Sequence, residues 1–186
     1  MPAATKAERF LAHLDQLSGG IEPKYHLIKS THEGQPPITA MVYRDLPESG
    51  FITSVTYGLS LSEHPDWLLG KPELVISVRS EDIAWAMVIA YFAEELRGVC
   101  PFTYGGTLNH GQRISPESDM SAFVVFAPGG LEPADAEIDI GDYTIILNGC
   151  YPIYESERQF IQEHGLEAFW TGFDWDINSV KRPPVV

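Results

Sequence analysis

Residues 83–96, IAWAMVIAYFAEEL, limit the fold more than any other stretch. From Ile83 to Ala93 no side chain carries a charge, and apolar residues fall on every side of a helical wheel. The run is shorter than the ~20 residues that cross a bilayer. A helix that is apolar nearly all round must be enclosed by the rest of its own chain. The sequence therefore predicts the most buried helix of the protein here. Ser80 is placed to cap it, Glu81 and Asp82 suit the positive end of its first turn, and Gly98 stops it.

The flanking segments read as the material that encloses it. KYHLIKS (24–30) and ITAMVYRDL (38–46) predict strands, with HEGQPP as the turn between them. FITSVTYGLSLS (51–62) alternates as one long strand whose apolar positions are Ile52, Val55 or Tyr57, Leu59 and Leu61. PELVISVRS (72–80) predicts the next strand, with Leu74, Ile76 and Val78 on one face. Pro72 offers no ladder donor, which puts that end at an edge or at the beginning of the strand. CPFTYGGTLNHGQRI (100–114) reads as a loop and a strand, and SAFVVFAP (121–128) as a continuous apolar strand. AEIDIGDYTIILNGCYPI (136–153) reads as a hairpin whose two-residue turn is Gly141-Asp142. YESERQFIQEHG (154–165) and LEAFWTG (166–172) read as two helices. Near the N-terminus, ATKAERFLAHLDQLSGG predicts a helix capped by Thr5, with Phe10, Leu14 and Leu17 on one face and Gly19-Gly20 ending it. Strands and helices are interspersed without regular βαβαβ alternation. The fold class implied is α+β, a mixed and mostly antiparallel sheet with helices packed against it. One domain is expected, residues 24–186, with the helix of residues 1–23 packed on it.

Charge narrows the range of partners. The 186 residues carry a net charge of −14, and residues 114–180 hold 13 acids against one base, Arg158. Such a surface repels phosphate backbones, so nucleic acid is not an expected partner. A basic protein would be attracted and steered to it. Glu132, Asp135, Glu137, Asp139 and Asp142 are the acids named for that contact. The N-terminal MPAATKAERF lacks the apolar core of a signal peptide, so the expected location is cytoplasmic and no membrane is expected as a partner. Cys100 and Cys150 are the only cysteines and read as buried free thiols.

Ser60, Ser62, Glu63 and His64 are the residue types of a hydrolase, packed into five positions. A triad draws its members from separated segments, and no GxSxG elbow is present. A strand end running into a polar turn explains the same letters. The six histidines form no HxH or HExxH pattern, so no metal is expected. YGGTLNHG fits no phosphate-loop pattern, and no cofactor is expected. Glu94-Glu95, Asp139 with Asp142, and Glu155 with Glu157 read as solvated faces or helix starts. Trp67, Trp85, Trp170 and Trp175 read as core anchors.

Taken in order, VYRDLP, TYGLSLSEHP, PELVISV, AWAMVIAYFAEEL, YGGTLNHG, MSAFVVFAP, YTIILNGCYPIYESE, GLEAFW and the RPP at Arg182–Pro184 resemble the Suppressor of fused domain family. The resemblance covers residues 24–184, and the length corresponds to the stand-alone bacterial-type domain. It implies a mixed α/β domain that binds proteins and has no enzymatic activity. Animal members sequester a transcription factor by taking a short peptide of it as an added strand. Among their contacts are a tyrosine on the buried helix, matched by Tyr91, and an aspartate in a following Gly-Asp turn. That turn reads Gly105-Gly106 here, without the acid. Bacterial members resemble immunity proteins that neutralise secreted toxins. The reading that results is a non-enzymatic module that sequesters a protein. A hydrolase built on Ser60 or Ser62 with Glu63 and His64, and a structural homodimer subunit joined at a strand edge, are the alternatives.

Overall fold

In the computed structural model, which describes residues 4–186, one mixed sheet runs through the molecule with helices on both faces. The elements are helix α1 (Lys6–Ser18), strands β1 (Lys24–Ile28), β2 (Ile38–Arg44), β3 (Phe51–Tyr57) and β4 (Lys71–Arg79), helix α2 (Ala84–Leu96), strands β5 (Thr107–Asn109), β6 (Ala122–Phe126), β7 (Glu137–Asp139) and β8 (Thr144–Ile153), and helices α3 (Glu155–His164) and α4 (Leu166–Gly172). The strand order is β1-β2-β3-β4-β8-β6-β5, with β7 pairing the first part of β8. Every pair is antiparallel except β4 with β8.

Period-two alternation sorts the strand residues into two cores. Ala40, Val42, Ile52, Ile76, Phe123 and Val125 point to one face, against Trp85, Ile89 and Phe92 of α2. Each such side chain, fully buried, contributes about 1.5–3 kcal/mol. Met41, Tyr43, Val55, Ile145 and Leu147 point the other way, under Phe10 and Leu14 of α1 and Ile138 of β7. Farther along that second face, Val124 and Ile153 lie under α3 and α4 through Ile161 and Phe169. The predicted α+β class and its mostly antiparallel sheet are the observed ones.

Three local readings differ from the sequence expectation. The third strand ends at Tyr57, and Leu59–Leu61 form a 3-10 turn where a continued strand was expected. Helix α2 begins at Ala84, and Ser80 does not cap it directly. Ser80 Oγ accepts the Asp82 N–H at 2.9 Å, and Asp82 Oδ1 accepts the Ala84 N–H at 2.9 Å, so two side chains relay the cap. The Ser80 hydroxyl is donated to Glu117, which also accepts the Trp85 indole N–H at 2.8 Å. Finally, α2 is the most buried helix, as its sequence predicts, but its apolar run opens to solvent at Tyr91, which is 54% exposed. Of the four tryptophans Trp85 alone is fully buried; the others are half-buried.

Other expectations match in detail. Thr5 makes a capping box with Glu8, and Gly19 adopts the left-handed cap of α1. Pro72 lies in the half of β4 paired to β8, beyond the Phe51–Val55 segment of β3 that pairs the other half. The β7–β8 hairpin closes on Gly141-Asp142, with the Ile140 N–H donated to the Tyr143 carbonyl at 3.2 Å and Gly141 at φ +101°.

Candidate functional site

The hydroxyl-rich stretch after β3 is tied to a carboxylate that the sequence reading passed over. Glu73 in β4 has no exposed surface. Its Oε1 accepts the Gly58 N–H at 2.8 Å, the Ser60 N–H at 2.9 Å and the Ser60 hydroxyl at 2.7 Å. Its Oε2 accepts the Thr56 hydroxyl at 2.6 Å. Thr56 Oγ1 in turn accepts the Leu74 N–H at 2.8 Å, so the two segments are laced in both directions. Burial pushes the Glu73 carboxyl above its ordinary value, and the four donors offset only part of that. Gly58 makes the approach possible: a Cβ there would lie 2.7 Å from the Pro37 carbonyl oxygen, at φ +124°.

This lacing disperses the hydrolase candidate. Ser60 is buried and its hydroxyl is committed to Glu73. Ser62 Oγ faces Gln35 at 3.4 Å. Glu63 is exposed and pairs with Lys71. His64 donates from Nε2 to the Val99 carbonyl at 3.2 Å and accepts the Asp66 N–H on Nδ1 at 3.1 Å. Both ring nitrogens are occupied by backbone, and neither serine is among the ring's partners. The geometry is that of a pinned loop, with no nucleophile beside a base.

The five acids of residues 132–142 lie on the β7 hairpin and the turn before it; Asp135, Asp139 and Asp142 stand beside α1, and Glu137 lies near Tyr104. Glu132, Glu137, Asp139 and Asp142 are exposed and Asp135 is half-buried. Lys6 of α1 pairs with Asp142 at 2.8 Å, which lowers that carboxyl and raises the Lys6 ammonium. Among the described residues Asp142 alone of the five has an ion-pair partner. His13 Nε2 donates to the Asp135 carbonyl at 2.8 Å, fixing the turn before β7 to the same helix. The acidic rim is therefore held by backbone and helix packing, with three carboxylates left facing solvent.

On the α1 face the sheet opens into an apolar cleft of about 200 Å³, which reaches the acidic segment only at Leu131. Val55, Val75 and Leu147 form its floor, Leu14 and Leu17 of α1 one wall, and the Pro128–Leu131 loop the other. Its polar floor atoms are satisfied: Thr53 Oγ1 donates to the Leu46 carbonyl at 2.6 Å and shares a hydrogen bond with Ser77 Oγ at 2.7 Å. Leu131 ends the wall, and Glu132 follows it directly into the acidic hairpin. An apolar recess of this kind can anchor an apolar side chain of a partner, with Glu132 next to its wall to orient a basic neighbour.

The remaining named residues lie elsewhere. Tyr91 stands on the outer side of α2, on the opposite face of the sheet from the hairpin. Gly105 and Gly106 close a turn at the β5 end, where the Gly106 N–H is donated to the Thr103 carbonyl at 3.0 Å and Gly105 has φ +84°. The eight residues named from sequence thus occupy three places, and the five acids alone form a cluster. Among the described residues no group of histidine, cysteine and acidic side chains is arranged to hold a metal ion, and no helix is long and apolar enough to cross a membrane.

Two further buried ion pairs account for segments without chemistry of their own. Arg182 of RPP makes a two-pronged contact with Glu157 of YESE, at 2.6 and 2.7 Å, and Glu157 also accepts the Tyr154 and Val185 N–H groups. Arg97 pairs with Glu94, which holds the Ser30–Thr31 backbone and hydroxyls at the β1–β2 connection. Glu94 and Glu157 are buried, not solvated as their neighbours in sequence suggested.

Comparison with known proteins agrees with this architecture. The profile of Suppressor of fused protein (SUFU) matches residues 34–183. A crystal structure of a SUFU homologue from Neisseria gonorrhoeae FA 1090 superposes with a TM-score of 0.72 at 20% identity, covering 96% of this chain and 95% of that one. The Sufu–Fu complex gives 0.60 at 14% identity, over 94% and 89% of the two chains. Drosophila Suppressor of Fused gives 0.63 at 13% identity, over 94% of this chain and 49% of that longer one. No curated protein matches the chain in sequence. With the family profile spanning most of its length and the fold shared, this chain belongs to the Suppressor of fused family.

Proposed function

We infer that this chain is a protein-binding module with no catalytic role, which captures a cationic protein partner on the hairpin side of its sheet. The observation that carries this reading is the grouping of Glu132, Glu137 and Asp139 along the β7 segment, exposed and without ion-pair partners among the described residues, with Glu132 directly following Leu131 of the apolar cleft wall. The net charge of −14 draws a basic protein toward the molecule, and the rim orients it. A solved relative, the Sufu–Fu complex, is a complex between two proteins. A basic domain of a secreted toxin has the right charge for this face, and neutralising such a domain is the specific role we assign. The dispersal of Ser60, Ser62 and His64 supports a binding role over a hydrolytic one.

The test is affinity capture from the source cells and from cells expressing the product of an adjacent toxin-like gene. Wild-type chain is compared with Glu132→Lys/Glu137→Lys/Asp139→Lys. A basic protein retained by the wild type and lost from the variant is the expected result. Equal retention by both removes the hairpin from the account, and hydrolysis by the wild type of an ester or peptide substrate removes the non-catalytic reading.

A further inference from the structure

The end of the sheet farthest from the acidic hairpin carries an unprotected edge. Among the described residues strand β1 pairs with β2 alone, through five successive residues from Lys24↔Val42 to Ile28↔Ile38 with no bulge. Its outer side leaves a row of backbone donors and acceptors unpaired by any strand. Edge strands are commonly blunted by proline, inward charge or a bulge. Within β1 there is no proline, and the one full charge is Lys24 at its start. Instead Tyr25 and Leu27 stand 57% and 70% exposed on the α1 face. Ile21 and Leu11, also exposed, extend this surface along a shallow groove beside Tyr25 that Asp15 and Glu22 also line.

Charge selects the occupant. Residues 21–30 hold Glu22 against Lys24 and Lys29, so this edge lacks the acidity of residues 114–180. The acidic elements lie at β7 and β8, on the far side of β2, β3 and β4. Two copies of a strongly acidic chain can approach here with their acidic regions at opposite ends. A basic partner is drawn to the other end.

We propose that the protein forms a homodimer by antiparallel pairing of β1 with β1 of a second copy, joining the two sheets into one. A two-fold axis normal to the sheet sets one residue opposite its own equivalent. Centring on His26 uses all five residues and places Tyr25 of each copy against Leu27 of the other. The contact is isologous and closed, so assembly stops at two. This interface is separate from the acidic face and does not depend on the partner proposed for it.

Light scattering on the eluting full chain tests the proposal, at about 100 μM so that a micromolar Kd is saturated. The expected mass is twice the 20.7 kDa of the chain. Leu27→Lys and Tyr25→Lys, both at exposed positions, weaken association at least tenfold with an unchanged far-ultraviolet circular dichroism spectrum. Should Leu27→Lys lose its spectrum, Tyr25→Lys decides the matter alone. A wild-type mass of one chain leaves the edge to some other segment and overturns the proposal. A dissociation constant, read from mass across a dilution series, that is unchanged in the folded variants overturns it equally. The hairpin triple variant remains dimeric, which separates this contact from the one that binds a partner.

Discussion

Glu73 has no exposed surface and four donors, and it makes one unit of two sequence motifs, TYGLS and PELV. Replacing it with Gln keeps an acceptor for the donors on one atom but sets an amide N–H₂ where the Thr56 hydroxyl needs an acceptor. We expect Glu73→Gln to lower stability by about 1–3 kcal/mol in urea unfolding at neutral pH. The pH dependence has a fixed sign. Folding raises this carboxyl above its ordinary value of 4.5, so the folded state favours the protonated form. Wild-type stability relative to Glu73→Gln is therefore greatest at and below that value and falls as pH rises through the folded pKa. A relative stability that increases with pH would mean that the four donors outweigh burial. Gly58 is the second sensitive position: Gly58→Ala puts a methyl against the Pro37 carbonyl at a backbone angle that alanine resists, and should cost about 2 kcal/mol or more by thermal unfolding.

At the scale of elements, Arg182 is the central anchor of the C-terminal segment, with the Val185 N–H donated to Glu157 and the Ser156 hydroxyl to the Val186 carbonyl beside it. Arg182 grips Glu157 with both prongs, lies 4.7 Å over the Trp175 ring, and its own carbonyl accepts the Tyr154 hydroxyl at 2.5 Å. Arg182→Ala leaves the buried Glu157 carboxylate without its counter-charge, at an expected cost of about 3–5 kcal/mol. Arg182→Lys restores charge but not the fork, and should recover only part of it. Amide exchange at residues 153–157 and at Val185 and Val186 should accelerate in both variants; unchanged exchange would show that the segment is held by other contacts. These pairings were not legible in sequence, because Glu157 and Arg182 are separated by most of two helices and each looks solvated among its neighbours. Periodicity served well where a side chain's burial follows its own neighbours: α1, β2, β4, α2 and the β7–β8 hairpin lie where the apolar pattern puts them. It failed at Gly58–Leu61, where alternation continues but Glu73, from another strand, takes the backbone donors and turns the chain.

For the molecule as a whole, the three-layer arrangement distributes charge as well as apolar surface. The −12 of residues 114–180 could be counted in the sequence, but its grouping could not. The chain brings residues 132–142 beside α1 through the β7–β8 hairpin, so acids distant from Lys6 and His13 share a rim with them. The cleft was invisible to sequence for a similar reason, since its floor comes from β3, β4 and β8 and its walls from two further segments. Tyr91, singled out by resemblance, faces away from both. The central claim is that the hairpin and its cleft bind a cationic protein. The most direct measurement is calorimetric titration of the captured partner with the wild type and with Glu132→Lys/Glu137→Lys/Asp139→Lys, repeated as salt rises from about 0.01 M to about 1 M, over which the screening length falls from roughly 30 Å to roughly 3 Å. Wild-type affinity is expected to fall steeply with salt, and the variant to bind at least tenfold more weakly at the low-salt end. Equal affinities for the two proteins, unchanged across the salt range, would contradict that claim.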